Sequence, residues 1–426
     1  MKCFLFFHRG KNIEPQTSRL NSVQPSFTDH EQGKQTESGL ISTSGSNHIT
    51  KSRGQTQLPL FERPNSLRVF TFLELKQMTK SFSISYKLGE GGFGSVYKGF
   101  MKSSEDPAKK HAVAVKQLGK RGLQGHKEWV TEVNVLGVVE HPNLVKLIGY
   151  CAEDDEKGIQ RLLIYEYMPN GSVEDHLSIK STTPLSWAMR LRIASDTAKG
   201  LAYLHEEMDF QIIFRDFKSS NILLDEQWNS KLSDFGLARL GPSEGLTHIS
   251  TAVVGTMGYA APEYIRTGHL TSKSDVWSYG VFLYELITGR RPLDRNSPKS
   301  EQKLLEWVKP YLSDAKKFKH ILDPRLEAEG KQILKSAHKL SLVANRCLAK
   351  QPKTRPKMSE VLEMVRQVVE SSAGTANPQL PLKTNDQIKT FQETNGTGEI
   401  RNRGSLISAW LSKRVIKKIC SRRLYL

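Results

Sequence analysis

The chain has 426 residues, of which 38% are hydrophobic and 25% charged, so it can bury the core of one large two-lobed domain or of two smaller domains. No apolar run approaches the roughly 18 residues of a membrane helix, and the opening MKCFLFF is too short for the apolar core of a secretory signal. The composition therefore excludes membrane-spanning and secreted classes and predicts a protein of the cytosol or nucleus.

The formal net charge of +18 is concentrated at the carboxyl end. Residues 401–426 contain eight Lys and Arg and no Asp or Glu. Such a segment favours an acidic membrane surface, a nuclear import receptor or nucleic acid as its partner, although the interleaved aromatic residues of a nucleic-acid stacking platform are missing. The cysteines Cys3, Cys151, Cys347 and Cys420 show no CxxC pairing, which argues against a disulfide framework and a zinc site.

Composition and periodicity divide the chain into successive parts. Residues 1–68 are polar and lack apolar periodicity, which predicts a disordered segment, and 69–81 form a short lead-in. Short β-rich runs and one charged helical pattern, HKEWVTEVNVLGVVE, occupy residues 82–167, whereas long helical periodicities dominate 168–370. An α+β domain with a sheet-rich and a helical lobe is predicted, followed by a flexible tail at 371–426.

The stretch GEGGFGSV places Gly89, Gly91 and Gly94 between two strand-like runs. Because glycine has no side chain, backbone N–H groups in such a turn can approach phosphate oxygens. A glycine-bearing hairpin would have the same pattern. A dinucleotide-binding turn is a further alternative, but it should open into a helix, whereas SVYKGF continues as a strand.

Two later stretches contain residues suited to phosphoryl transfer. Lys116 ends the run HAVAVK, and Glu132 in the predicted helix could hold the Lys116 ammonium against phosphates. Alternatively, Lys116 lies at a solvated strand edge and Glu132 on a solvated helix face. The stretch IIFRDFKSSNILLD combines an acid, a cation and an amide in a predicted loop. Asp216 can accept the proton of an attacking hydroxyl, Lys218 can offset charge on the phosphoryl group, and Asn221 can offer Mg²⁺ a neutral oxygen.

The tripeptide DFG follows this loop, and its Asp234 would bridge metal and phosphates. With the glycine loop, Lys116, Glu132 and the acid loop in this order, residues 82–370 resemble the eukaryotic protein kinases. The resemblance implies a two-lobed kinase fold with an antiparallel amino-terminal sheet. It also implies transfer of the γ-phosphoryl group of ATP with Mg²⁺, for which Mn²⁺ is an alternative.

The resemblance assigns expected roles to individual residues. Asp216 and Lys218 would be catalytic, Asn221 and Asp234 would bind metal, and Tyr165 in RLLIYEYM looks like the gatekeeper at the rear of the nucleotide site. A further set would bind ATP: Gly89, Gly91, Gly94, Val96, Ala114, Lys116, Glu132, Glu166 and Met168.

Three further residues receive structural roles by the same resemblance. Glu263 in GYAAPEY would pair with a buried Arg355, and Asp275 in SDVWSYG would brace the acid loop from a helix amino terminus. Phe214 stands where the family usually has His, and we expect it to pack beneath Phe235 of DFG.

The acceptor and the subfamily also follow from resemblance. The Lys two residues after the Asp in RDFKSSN, together with Thr256 in GTMGY, is similar to kinases that act on Ser or Thr. The chain also resembles the Pelle-like receptor-like kinases, especially plant receptor-like cytoplasmic kinases of subfamily VII. This resemblance is carried by the stretches HPNLVKLIGYC, YEYMPNGSVEDHL and GTMGYAAPEY. This implies protein substrates with Ser or Thr acceptors, an upstream receptor kinase and a relay role in immunity. The alternative is a pseudokinase scaffold that recruits partners without turnover.

Arg215 beside Asp216 implies control by phosphorylation, because the family uses this arginine to hold a phosphate on the activation segment. The predicted acceptors are Ser250 and Thr251, with Thr256 as a third candidate.

Targeting signals are predicted at both ends of the chain. Cys3 is a candidate for S-acylation, whereas Lys2 occupies the position where N-myristoylation needs glycine. The basic tail could add affinity for acidic membrane lipids. We therefore expect the protein at the cytoplasmic face of the plasma membrane, with the nucleus as the alternative.

Overall fold

The computed structural model describes most of the predicted domain. Cys3 and the basic tail lie outside the described residues, so the predictions about them remain predictions. The described residues are 67–373 except 92–93, 103–105, 107–108, 120–122, 156–157 and 330–331.

The amino-terminal half is a six-stranded sheet with the helix predicted from its charged pattern. The strands are β1 (Arg68–Val69), β2 (Lys87–Gly91), β3 (Gly94–Lys102), β4 (Lys110–Leu118), β5 (Leu147–Cys151), the separate hairpin β6 (Asp154–Asp155) and β7 (Gly158–Ile159), and β8 (Leu162–Glu166). The helices are α1 (Phe72–Met78) and α2 (Leu123–Leu136). The sheet order is β1-β5-β8-β4-β3-β2, and every pairing is antiparallel except that of the two-residue β1 with β5.

Strand β4 shows how the alternation in the sequence positions a functional residue. Val113 and Val115 are buried in the apolar layer beneath helix α1. Because side chains alternate along a strand, Ala114 and Lys116 belong to the opposite face, which is directed towards helix α2. Burial of Val113 and Val115 on one face of β4 therefore places the Lys116 side chain on the other face.

The carboxyl-terminal half is mainly helical. Its helices are α3 (Val173–Leu177), α4 (Trp187–Ala202), α5 (Pro262–Thr267), α6 (Ser272–Thr288), α7 (Leu304–Val308), α8 (Ala315–Phe318), α9 (Gln332–Cys347) and α10 (Met358–Ala373). Short antiparallel pairs join β10 (Ile222–Leu224) to β11 (Ser230–Leu232), β9 (Ile212–Ile213) to β12 (Arg239–Leu240), and β13 (Ile249–Ser250) to β14 (His269–Leu270). The predicted α+β class is confirmed.

Helix α6 lies at the centre of the helical lobe. From Ser274 to Thr288 every residue except Trp277 is buried, including the polar Asp275 and Glu285, so other parts of the lobe enclose the helix. Gly280 lets α9 approach closely, because a Cβ at that position would lie 2.8 Å from the Cβ of Cys347. The packed helices form a rigid base for the short strands that present the predicted loop residues.

The short strands bring two predicted motifs together. Residues 214–221 connect β9 to β10, and Asp234 follows β11, which pairs with β10.

Within the described residues, no helix has the length and apolar character needed to cross a membrane.

Candidate active site

A buried ion cluster joins the sheet to the helical lobe. Lys116 Nζ lies 2.5 Å from Oε1 of Glu132 and 2.8 Å from Oδ1 of Asp234. Burial alone would lower the pKa of Lys116, but the charges of Asp234 and Glu132 raise this pKa above its usual value. Burial likewise opposes ionisation of Asp234, yet the Lys116 ammonium lowers the pKa of that carboxyl overall. The cluster therefore keeps a cation and a carboxylate in place at neutral pH.

Tyr165 adds a contact that the sequence patterns did not indicate. Its hydroxyl donates a hydrogen bond to Oε2 of Glu132, whose other oxygen accepts from Lys116. Burial is the main cause that raises the pKa of Glu132 and of Tyr165. The phenol thus remains a neutral donor, and both oxygens of this buried carboxylate have a partner.

The predicted acid loop forms a compact polar group with Thr256. Lys218 Nζ lies 2.6 Å from Oδ2 of Asp216, and the Thr256 hydroxyl donates to Oδ1 of Asp216 at 2.7 Å. Lys218 also donates to Thr256 at 3.1 Å. Asn221 Nδ2 lies 3.0 Å from the Asp216 carbonyl oxygen and 3.2 Å from Oδ2. Thr256, a phosphorylation candidate from the sequence, therefore lies against the predicted proton acceptor.

Asp275 holds the backbone of this loop from the first turn of α6. Its Oδ2 accepts from the N–H of Phe214 at 2.8 Å, and its Oδ1 accepts from the N–H of Arg215 at 2.7 Å. The His205 ring contacts Oδ2 at 2.8 Å. Arg215 has φ of 74° and Asp234 has φ of 68°, a left-handed conformation that costs energy in a non-glycine residue and is typical of functional sites.

Phe214 packs against Phe235, as the resemblance to the kinase family implied. It is fully buried, and its ring centroid lies 4.9 Å from that of Phe235 in an edge-to-face arrangement. The same ring contacts Phe217, which packs on Phe282 of α6. Phe214 thus connects the DFG segment to the core through ring contacts.

The glycine-rich turn leaves open space above the sheet. A Cβ at Gly89 or Gly91 would meet no atom within 4 Å, whereas a Cβ at Gly94 would lie 2.0 Å from the Gln117 oxygen. Gly94 has φ of 138°, so this position requires glycine. The tip of the turn at 92–93 lies outside the described residues.

The strands beneath the turn align the remaining predicted nucleotide-binding residues. Val96 pairs in register with Lys116, and Ala114 pairs in register with Tyr165. The four residues therefore occupy adjacent positions on three neighbouring strands.

The connection between the lobes is held by a second ion pair. Lys231 Nζ contacts both oxygens of Glu166, at 2.9 and 2.8 Å, and the N–H of Lys146 donates to Oε1 of Glu166 at 2.8 Å. Met168 is buried two residues further on. Lys231 has no role in any sequence motif, because a lysine in a short strand is an ordinary observation.

The predicted phosphorylation sites Ser250 and Thr251 have different surroundings. Arg215 Nη2 donates to the Thr251 hydroxyl at 3.1 Å, and Arg215 Nε donates to the Tyr264 hydroxyl at 2.9 Å. Burial and the nearby charge of Arg215 lower the pKa of Arg239. Thr251 therefore contacts Arg215, whose charge is near that of Arg239, while Ser250 is exposed on β13.

Two further contacts anchor the end of this segment. Arg355 and Glu263 form a bidentate ion pair with both distances at 2.7 Å, and the arginine is buried. Glu285 accepts from the Ser219 hydroxyl at 2.8 Å and from the Tyr259 hydroxyl. Burial raises the pKa of Glu285 to about 7.

The donor set fits a magnesium nucleotide. The Nδ2 of Asn221 is used within the loop, which leaves the side-chain oxygen Oδ1 as a neutral ligand, and Asp234 offers an ionised carboxylate. Carboxylate and amide oxygens are ligands that Mg²⁺ accepts in such sites. The open space at Gly89 and Gly91 would allow phosphates to approach the backbone.

Comparison with known proteins gives a consistent result. The protein kinase domain family matches residues 82–365. Serine/threonine-protein kinase PCRK1 of Arabidopsis thaliana is 62% identical over 417 residues, which cover 97% of this chain and 98% of the relative. PCRK2 of the same plant is 61% identical over 420 residues, with 97% and 98% covered. Serine/threonine-protein kinase PBL34, also from Arabidopsis thaliana, is 55% identical over 304 residues, which cover 70% of this chain and 60% of the relative.

Proposed function

We propose a mechanism from the following premise: this chain belongs to the protein kinase family and is a serine/threonine-protein kinase. In this mechanism Asp216 accepts the proton of the protein hydroxyl during phosphoryl transfer. The observation that carries this assignment is the polar group in which Lys218, Asn221 and Thr256 all contact Asp216. These contacts fix the carboxylate in one orientation, which is the requirement for a positioned base.

The surrounding residues have complementary roles in this proposal. When bound, the nucleotide supplies the γ-phosphoryl group and Mg²⁺ offsets charge on the phosphate oxygens. Asn221 and Asp234 would hold the metal, and Lys116, oriented by Glu132, would hold the phosphates. Lys218 would offset charge on the transferring group.

The other nucleotide contacts follow from position. The backbone at Gly89, Gly91 and Gly94 would cover the phosphates. Val96 and Ala114 would line the adenine pocket, the backbone groups of Glu166 and Met168 would face adenine, and Tyr165 would close the rear as gatekeeper.

Phosphate transfer by matched variants tests the assignment. Wild type, Asp216→Asn and Lys116→Met would be incubated with labelled ATP, Mg²⁺ and a generic Ser/Thr acceptor protein. We expect at least a 100-fold loss in Asp216→Asn, since general-base catalysis alone contributes about 10²–10⁴-fold. Lys116→Met should also lose most of its activity, because the phosphates would lose the cation that holds them. Lys199→Met, at an exposed lysine of α4, is the matched control and should retain activity. Wild-type protein that binds nucleotide but transfers nothing would indicate the pseudokinase scaffold.

We also propose that phosphorylation of Thr251 activates the enzyme. In the described structure Arg215 donates to a neutral hydroxyl at Thr251, and the charges of Arg215 and Arg239 oppose each other. A phosphate there would accept charge-assisted hydrogen bonds and relieve this repulsion. Ser250 is exposed one residue earlier and is the second acceptor.

Separate substitutions distinguish the two acceptors. Thr251→Ala should lower transfer at least tenfold, because one new charge-assisted contact contributes roughly 1.5–3 kcal/mol, whereas Ser250→Ala should lower it less. Activity would be measured after preincubation with ATP, with phosphosites mapped by mass spectrometry. Full activity of the double Ala variant would contradict the switch.

A signalling role is proposed from similarity. The resemblance to receptor-like cytoplasmic kinases, together with the PCRK relatives, supports a relay between a surface receptor kinase and Ser/Thr-containing protein substrates in immunity. We place the protein at the cytoplasmic face of the plasma membrane through Cys3 acylation and the basic tail, with the nucleus as the alternative. Membrane fractionation of Cys3→Ser tests this location: an undiminished membrane fraction would exclude acylation as the anchor.

A further inference from the structure

A large groove lies on the helical lobe, and the polar group around Asp216 does not line it. It has a volume of about 950 Å³ and runs along helix α4 where the first turns of α9 and the last turn of α10 meet it. Its wall includes Trp187 and Leu191 of α4, Ile333 and Lys339 of α9, and Ser372 of α10. We call this feature the α4 groove.

The α4 groove combines an apolar wall with a basic rim. Leu191 and Ile333 are buried, and the Trp187 indole donates to the Ser336 hydroxyl at 2.7 Å, so the wall is already fixed. Five Lys and Arg side chains line the groove against two carboxylates, Asp196 and Asp225, so the rim carries a net positive charge. Arg192 and Lys199 pair with Asp196, whereas Lys335 and Lys339 pair with no carboxylate within the described part of the chain. A suitable occupant is therefore apolar and does not bring additional positive charge.

We infer that the α4 groove is the docking site for residues 376–382 of this same chain. This segment reads ANPQLPL and begins three residues after α10 ends at Ala373. Because Ser372 itself lines the groove, the chain leaves the helix at the rim of the site. The sequence from 374 to 382 contains no charged residue, whereas the basic segment at 401–426 would be repelled by the rim.

The reach and composition of the segment support this occupant. Leu380 lies seven residues beyond Ala373, which allows a span of about 23 Å at about 3.3 Å per residue. This matches the length of helix α4, whose 16 residues measure about 24 Å. Pro378 and Pro381 restrict the backbone and lower the entropy lost on docking. Tethering so close to the groove also gives the segment a high effective concentration.

Hydrogen exchange of the full chain tests the inference. The double substitution Leu380→Asp and Leu382→Asp would place two carboxylates in the apolar wall. The matched control, Thr384→Asp with Gln387→Asp, adds the same charge just beyond the segment. We expect amide exchange in residues 187–199 and 333–339 to become at least about tenfold faster in the first variant, equivalent to about 1.4 kcal/mol, and to be unchanged in the control.

A photoreactive residue at position 380 of the full chain identifies the occupant directly. We expect a cross-link within one molecule to α4 or α9. Equal exchange rates in wild type and the Leu variant would overturn the inference, and so would cross-links that join two copies of the chain. Protection that survives in the Leu variant and disappears only at high salt would instead indicate an acidic partner at the rim. Phosphate transfer is expected to persist in both variants, so failure here is distinguishable from failure of the kinase assignment.

Discussion

Glu132 is a fully buried carboxylate with two different donors. The Lys116 ammonium contacts one oxygen and the Tyr165 hydroxyl contacts the other. A buried acceptor that loses a partner costs more than the net strength of the hydrogen bond, because no water replaces the donor. The phenol therefore contributes to the orientation of the carboxylate that in turn holds Lys116.

Tyr165→Phe should lower the free energy of unfolding by about 1–3 kcal/mol, because Oε2 of Glu132 would remain buried without a donor. Urea denaturation followed by tryptophan fluorescence measures this difference. Tyr97→Phe removes a hydroxyl from a partly buried ring that packs edge-to-face on Phe82, and it should change the unfolding midpoint little. Equal midpoints for the two variants would show that Glu132 does not depend on the phenol.

Motif spacing could select individual residues but not all of their contacts. The sequence predicts a pair between Lys116 and Glu132, because each lies on an element whose type the periodicity indicates. The hydrogen bonds from Thr256 to Asp216 and from Tyr165 to Glu132 join residues that are 40 and 33 positions apart. No local pattern reports such a contact, because it depends on how the segments pack.

Strands β8 and β11 belong to different lobes and are joined by one bidentate ion pair. Glu166 ends β8, and Lys231 is the central residue of β11. The side chains of Lys231 and Glu166 are 16% and 28% exposed, so water screens the pair only in part. The contact restrains the backbone of Glu166, which is proposed to face adenine.

Lys231→Met should raise KM for ATP about two- to fivefold with little change in kcat, since a partly exposed ion pair contributes at most about 1 kcal/mol. The reason is that a looser connection between the lobes weakens nucleotide binding more than the chemical step. Steady-state kinetics with varied ATP would measure both constants, and Lys335→Met is the control at an exposed lysine. A fall in kcat with unchanged KM would assign Lys231 a different role.

Element length decided which elements could be predicted. Helices such as α6 and α10 contain several turns of apolar periodicity, and β4 alternates through its central residues 112–116. The pairs β9 with β12 and β13 with β14 contain two residues in each strand, too few to show a period of two. These short pairs are held by tertiary packing, so the sequence does not indicate which residues pair with each other.

Across the whole molecule, stability should depend on pH through Glu285. Its carboxyl is buried, with pKa raised from 4.5 to about 7. The folded state therefore binds more protons than the unfolded state between these values, and stability falls as pH rises from about 4.5 to 7. Above about pH 7 the stability does not fall further. The total loss of unfolding free energy is at most about 3 kcal/mol, because each pH unit between these two values corresponds to about 1.36 kcal/mol.

Glu285→Gln should remove this dependence, because the amide resembles the protonated carboxyl. Relative to wild type, the variant should gain unfolding free energy as pH rises from 5 to 8. Thermal unfolding at several pH values would measure the change. Glu306→Gln, at an exposed carboxylate paired with Lys303, is the control and should run parallel to wild type. A Glu285→Gln curve that is also parallel would contradict the assigned pKa.

The two-lobed organisation could be predicted because the dominant period changes from two to 3.6 along the chain. The motifs then indicated that both halves contribute to one site. The α4 groove could not be foreseen, because its wall combines α4, α9 and α10, whose mutual packing is a property of the folded lobe.

The close approach of α6 and α9 at Gly280 has a consequence for covalent labelling. The thiol of Cys347 is buried there, with pKa raised to about 12, and Cys151 is also fully buried, with pKa raised by burial. Alkylating reagents attack the exposed thiolate form, so neither sulfur offers them a target in the native state. A maleimide dye taken up by Cys151 or Cys347 would thus report that the native packing around these two thiols has been lost.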